Sequence, residues 1–335
     1  MVEGGLEGRL ETPFPLTGKR IWVAGHTGLV GSALVRRLKG EGVEILTIYR
    51  SELDLRDQSA THDWVSKNAP DVVVLAAAKV GGIHANNTQP TDFINDNLLI
   101  QNNVLRACFE SKIQKALFLG SSCVYPKNAP TPITENALLT GPLEPTNEAY
   151  AIAKIAGIKQ CQAYRDQYGA DFITAMPCNL YGPNDNFSET QSHVLPALMM
   201  RAHKAKIAGE ETLTVWGSGT PKREFMHVDD LADALVFLLQ NYSHRNPVNI
   251  GTGAEIAIAD LARIICERIG FKGALNFDTS MPDGVMSKCL DISKMQKLGW
   301  MPRISLDAGI KQTYEWVVKN DENNRRKQNP DRQAA

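Results

Sequence analysis

Lys19-Arg-Ile-Trp-Val-Ala24-Gly25-His-Thr-Gly28-Leu-Val-Gly31, continued by Ser32 to Lys39, is the stretch whose reading decides the fold. Its first six residues read as a buried strand, its glycines as a turn, and Ser32 to Lys39 as helix. Strand, glycine turn and helix in that order make a dinucleotide fingerprint. Glycines at 25, 28 and 31 let the backbone approach a pyrophosphate at a helix N-terminus, where N–H groups and the helix dipole favour negative charge. The next strand, Val43 to Tyr49, ends in Arg50 rather than in an acid. A carboxylate there would hold the ribose 2′-hydroxyl of NAD, whereas a guanidinium suits a 2′-phosphate, so the expected cofactor is NADP.

Outward from this unit, Val72 to Ala78, Ala116 to Gly120 and Phe172 to Met176 are further strand candidates, and strands alternate with helices to about Pro177. That is the pattern of a parallel sheet covered on both faces, so the fold class is α/β, a Rossmann-type doubly wound sheet. Beyond Asn179 the alternation breaks into loops and short elements that suggest a smaller C-terminal substrate domain. The expected division is 18–178 for cofactor binding, with returning segments at about 224–252 and in part of 289–320, and 179–223 with 253–288 for substrate. Asp229 is read as the cap of a helix carrying Leu231, Ala234, Leu235 and Leu238 at helical spacing. Residues 1–17 and 321–335 are polar and read as mobile tails.

Two segments carry chemistry. In Tyr150-Ala-Ile-Ala-Lys154 a phenol and an ammonium lie four apart, on one face of a helix. A positive charge beside the phenol would draw its pKa down from near 10, toward useful acid/base strength for carbonyl reduction. In Ser121-Ser-Cys123-Val-Tyr-Pro126, after the strand Ala116 to Gly120, Ser121 and Cys123 should face one pocket while Ser122 turns away, since residues two apart in extended chain point the same way. Ser121 would then hydrogen-bond the carbonyl oxygen that Tyr150 protonates.

These residues resemble the extended short-chain dehydrogenase/reductases that act on nucleotide sugars. Leu75-Ala-Ala-Ala-Lys-Val-Gly-Gly82, Gly120-Ser-Ser-Cys-Val-Tyr-Pro126, Asn179-Leu-Tyr-Gly-Pro183 and Trp216-Gly-Ser-Gly-Thr-Pro221 are similar, more narrowly, to the branch that epimerises and reduces GDP-4-keto-6-deoxy-mannose. The resemblance runs from about Lys19 to Asn320. It implies a reductase triad of Ser121, Tyr150 and Lys154, and an epimerisation pair of Cys123 and His193. It further implies cofactor contacts at Gly25, Gly28, Leu29, Val30, Gly31, Arg50, Asp54, Leu55, Ala77, Lys154, Pro177, Asn179, Leu180 and His193. GDP-sugar contacts would fall on Asn179, Val194, Leu198, Arg201, Trp216, Arg223 and Lys288. The chemistry agrees with the pair: a ketone at C4 acidifies the hydrogens on C3 and C5, and inverting a carbon needs one proton carrier on each face. Thr27 stands where some bacterial members place an Arg, which leaves Arg50 with much of the NADP preference.

Composition removes other classes. With 36 basic against 37 acidic residues the chain has no net attraction for nucleic acid or an anionic membrane, and Val72 to Ala78 is too short to span a bilayer. Six scattered Cys without metal-ligand spacing suit a reducing cytoplasm, and no metal is expected. A 4,6-dehydratase would carry acidic residues where Ser122-Cys123 stands. A 4-epimerase holding NAD would not need Cys123 with His193. A non-catalytic NADP-binding regulator would not need Ser121, Tyr150 and Lys154. A colitose-forming enzyme acting on a 3-deoxy sugar stays open, as does the order of inversion. The resemblance also implies a homodimer built on the helices at about 95–110 and 149–168.

Overall fold

The computed structural model describes residues 7–188, 192–281 and 283–328. Runs such as Val72-Val-Val-Leu75 have no polar face, so they are stable only as strands covered on both sides. Along the chain the order is β1 (Arg20–Ala24), α1 (Leu29–Leu38), β2 (Glu44–Leu46), α2 (Gln58–Asn68), β3 (Val72–Leu75), α3 (Ile83–Thr88), α4 (Pro90–Glu110), β4 (Lys115–Leu119), α5 (Glu148–Tyr168) and β5 (Phe172–Pro177). Then come β6 (Asn179–Tyr181), α6 (Val194–Ala208), β7 (Thr212–Trp216), β8 (Lys222–His227), α7 (Val228–Asn241), β9 (Val248–Ile250), β10 (Glu255–Ala257), α8 (Ile258–Ile269), β11 (Ala274–Asp278), α9 (Ser293–Leu298) and α10 (Leu306–Gln328).

Six strands form one parallel sheet in the order β2-β1-β3-β4-β5-β9. From β1 the chain goes to one side for β2 and returns to the other for β3, so a crevice opens between the carboxyl ends of β1 and β3. Ligands of open α/β sheets bind at such a switch point. A second core joins α6, α8 and the strands β7 and β8 through Leu195, Leu198, Met199, Leu213, Phe225, Leu261 and Ile265. It carries two small sheets, β10-β8-β6 and β11-β7.

Several local expectations are corrected. The second strand spans only Glu44–Leu46, not 43–49, and pairs there with Arg20 to Trp22 of β1. The third stops at Leu75. The cap of α7 is His227, whose Nδ1 accepts from the Asp229 N–H at 3.3 Å; Asp229 lies in the first turn and pairs with Arg36 at 2.6 Å. Residues 7–17 are not a loose tail. Leu10 and Phe14 donate backbone bonds to Asn241 and Gln240 at 3.0 and 2.7 Å, Leu16 is buried, and the Phe14 ring lies under the ammonium groups of Lys19 and Lys115. Helix α10 continues through 321–328, and it divides the last segment: Leu290 to Trp300 joins the first core, Ile310 and Val317 the second. The expected mobility of 1–6 and 329–335 concerns residues outside those described. Among the described residues no helix is long and apolar enough to cross a membrane.

Candidate active site

The glycine turn after β1 has no room for a side chain at two of its glycines. Gly25 has φ +89°, and a Cβ there would lie 2.6 Å from the Ala77 backbone N; a Cβ at Gly31 would lie 2.1 Å from the Gly25 carbonyl oxygen. Helix α1 starts at Leu29, with Val30 next and no side chain capping its N-terminus. His26 and Tyr49 meet edge to face at 4.8 Å, which holds the glycine loop against the end of β2, where Arg50 is exposed. Asp54 follows, its carboxylate gripped by Arg56 at 2.6 Å; hydrogen bonds from Arg56 pull it down to about 2, with Arg50 adding a smaller pull. The Leu55 carbonyl accepts from Asn103 at 3.0 Å. A bare helix end, a cradle without side chains and a guanidinium at the second strand together fit a dinucleotide with a 2′-phosphate.

One corner of the crevice joins Ser121, Tyr150 and Lys154. Tyr150 lies in the first turn of α5, and Lys154, one turn on, is buried. The Lys154 Nζ donates to the Leu119 carbonyl at 2.8 Å and stands 5.8 Å from the Tyr150 ring centroid. Ser121, just past β4, lies beside both the Tyr150 phenol and the Cys123 thiol and draws each of them down. The expected lowering of the phenol is not the net result. Burial pushes Tyr150 up, Cys123 adds to the rise, and Ser121 opposes them, while the ammonium is committed to Leu119. A protonated phenol is the form that gives a proton to a ketone oxygen. Burial brings Lys154 itself down to about 8.

Cys123 and His193, the expected exchange pair, come from separate elements. Cys123 lies in a 3-10 turn over Ser122–Val124, not in extended chain, so its approach to Ser121 comes from the turn and not from strand alternation. Its backbone N–H lies 3.4 Å from Ser121 Oγ. Burial raises the thiol, opposed first by Lys288, then by Ser121 and Lys154. His193 precedes α6 in extended conformation, and its ring makes no capping bond. It is solvent-accessible, yet the surrounding walls push its imidazole down, toward the neutral form.

Toward the second core, Trp216 ends β7 and is 53% exposed, with the Arg201 guanidinium carbon 5.2 Å from its ring centroid. Arg223 donates to the Lys222 carbonyl at 2.7 Å and to that of Val285. Asn179 donates to the Glu224 carbonyl at 2.8 Å, and Leu180, Ala77 and Val194 are half-buried. One expected contact is closed off, since Leu198 is fully buried in the second core; Pro177 is buried within β5. Sequence reading missed Glu224 and Asn249, both buried, which bind the segment carrying Lys288 to the sheet.

The model of the NAD dependent epimerase/dehydratase family matches residues 21–251. GDP-L-fucose synthase 1 of Arabidopsis thaliana is 58% identical over 302 residues, 90% of this chain and 94% of the relative. GDP-L-fucose synthase of Sinorhizobium fredii is 56% identical over 305 residues, 91% of this chain and 97% of that one. GDP-L-colitose synthase of Yersinia pseudotuberculosis is 36% identical over 91% of this chain and 99% of its own length. Among solved structures, a GDP-L-fucose synthetase from Naegleria fowleri bound to NADP superposes with TM-score 0.87 at 31% identity, covering 94% of this chain and 98% of that one.

Proposed function

This chain belongs to the NAD dependent epimerase/dehydratase family, and from that membership and the site we infer that it converts GDP-4-keto-6-deoxy-D-mannose to GDP-L-fucose with NADPH. Carbons 3 and 5 are inverted and the ketone at C4 is reduced. The observation that carries this reading is Ser121, placed beside Tyr150 on one side and Cys123 on the other, so that one substrate ketone would meet a proton donor for reduction and a proton carrier for inversion.

NADPH, when bound in the glycine cradle with Arg50 at its 2′-phosphate, supplies the hydride. Tyr150 donates its phenolic proton to the C4 oxygen, and Ser121 hydrogen-bonds the same oxygen. The Lys154 ammonium, held on Leu119, offsets the phenolate left behind. Before reduction, Cys123 and His193 serve opposite faces of the carbons beside the ketone, one removing a proton and the other returning one. The Trp216 face suits guanine, and Arg201, Arg223 and Lys288 suit the diphosphate. The second core with its small sheets is then the substrate domain. Identity of 58% to a fucose-forming relative against 36% to a colitose-forming one favours the fucose product.

Leu99 on α4 and Ile152 on α5 are 45% and 43% exposed on adjoining helices, an apolar face suited to a second copy through a four-helix bundle. Light scattering at micromolar concentration should give a dimer, and Ile152→Glu a monomer. All six Cys are free and buried, in keeping with a reducing cytoplasm. NADPH oxidation assayed with GDP-4-keto-6-deoxy-mannose and with its 3-deoxy analogue tests the assignment. Turnover of the first and little of the second is expected; inertness toward both overturns it.

A further inference from the structure

Lys288 stands in the sequence as one of three cations suited to a diphosphate, but its setting points to a second duty. We propose that Lys288 is the counter-charge of Cys123, a positioning residue for epimerisation that stabilises the thiolate formed during each inversion. The proposal rests on the reading of the site as an epimerase and assigns the residue on which its proton exchange depends.

A buried polar frame fixes the two residues relative to each other. Tyr125, two residues after Cys123, donates its phenol to Asn249 Oδ1 at 2.5 Å. Asn249 in turn donates to the carbonyls of Asp291 at 3.2 Å and Ile133 at 2.9 Å. Ile133 donates to Cys289 at 2.8 Å and accepts from Asp291 at 2.9 Å, and Leu290 donates to the Glu224 carboxylate at 2.8 Å. Tyr125, Asn249 and Glu224 are each no more than 1% exposed. A fully paired buried network of this kind holds a segment in one register. It fixes the chain at Cys289, directly after Lys288, whose ammonium draws the Cys123 thiol down while the thiol draws the ammonium up.

The charges around both groups agree. Cys123 faces Lys288, Lys154, the Tyr150 phenol and the Ser121 hydroxyl, and of the two cations Lys288 exerts the larger pull on the thiol. Lys154 is already bonded to Leu119. Lys288 faces Cys123, Arg223 and Glu144, with Glu144 also paired to Lys127 at 3.2 Å. In an inversion, one carrier takes the proton from C3 or C5, the C–H electron pair passes into the enolate, and the other carrier returns a proton to the opposite face. With a neutral His193 as base and the Cys123 thiol as acid, the step ends in imidazolium and thiolate; with the roles exchanged it begins from them. In either direction a thiolate exists in a desolvated pocket, where an adjacent ammonium stabilises it most.

The experiment compares wild type with Lys288→Met, Lys288→Gln and Lys288→Arg, each bound to NADP. Peptide-resolved alkylation of Cys123 by iodoacetamide across pH needs no sugar. The Met and Gln variants should shift its midpoint upward by about one unit or more, and Arg should restore it. With saturating GDP-4-keto-6-deoxy-mannose in deuterated water, the neutral variants should lose about tenfold to a hundredfold in deuterium incorporation at C3 and C5, with Arg again recovering most of it. An unchanged alkylation profile in the neutral variants overturns the proposal, as does a higher KM with wild-type exchange at saturation, which would make Lys288 only an anchor for the diphosphate. If wild type itself neither exchanges nor oxidises NADPH, the proposed function fails, while the alkylation profile still decides the pairing of Lys288 with Cys123.

Discussion

Tyr150 and Lys154 stand one turn apart on a single helix, whereas Cys123, His193 and Lys288 come from a 3-10 turn, the start of α6 and the segment after β11. The reductive corner is therefore local and rigid, set by helix geometry over the end of β4. The exchange corner is assembled across two cores, and its geometry depends on the buried Tyr125–Asn249 and Glu224 links. Ser121 belongs to both. A change within the first corner should remove one chemistry cleanly, while the second should respond to residues far from the carbon that reacts.

The sharpest separation is Tyr150→Phe. It removes the proton donor and should lower NADPH oxidation by about 10³ to 10⁴, while deuterium exchange into the unreduced ketone persists in a mass-spectrometric assay. Loss of both together would show that the corners act as one unit. Cys123→Ser is the converse, keeping shape but substituting a far weaker acid; exchange at C3 and C5 should fall by about 10² to 10³, and the product recovered by NMR should be an uninverted GDP-6-deoxyhexose. Near wild-type yields of doubly labelled GDP-fucose would make Cys123 a packing residue.

Arg50→Ala probes the end of the crevice that only reduction needs. NADPH binding should weaken by about 1.5 to 3 kcal/mol, measured by fluorescence titration, with NADH little affected. Equal losses for both cofactors would mean that Arg50 shapes the pocket without reading the phosphate.

The smallest effect is on pH. Lys154 has been brought by burial from 10.5 to about 8, so NADPH oxidation should fall as pH rises through about 8, where the ammonium loses its proton. Stability should move the other way. Between the folded and unfolded values the unfolded chain binds more protons, so this residue's contribution to unfolding free energy rises with pH. Thermal melts of wild type against Lys154→Met between pH 7 and 10 would show the slope.

How much of this was legible follows from how each residue is placed. Gly25, Gly28 and Gly31 announce a turn because the conformation and the close approach to Ala77 exclude a side chain, a constraint written in residue type. Tyr150 and Lys154 announce a shared face because helix periodicity is local. Residues 7–17 misled because polar composition does not reveal that backbone bonds to Gln240 and Asn241 and the cations around Phe14 hold the segment down. Leu198 misled because the helix it shares with Arg201 turns it into the second core. Tyr150 misled differently: charge spacing suggested a lowered phenol, and only burial and the Leu119 carbonyl reverse the sign.

By itself, the sequence determined the parallel α/β sheet, the dinucleotide turn and the helical Tyr-Lys pair, because each depends on periodicity or on backbone conformations that few residues adopt. Only the tertiary structure decided which cation faces Cys123, which expected contacts are closed off and which protonation states the pocket favours. Those depend on desolvation and on distances between segments far apart in the chain, quantities that exist only once the two cores have packed.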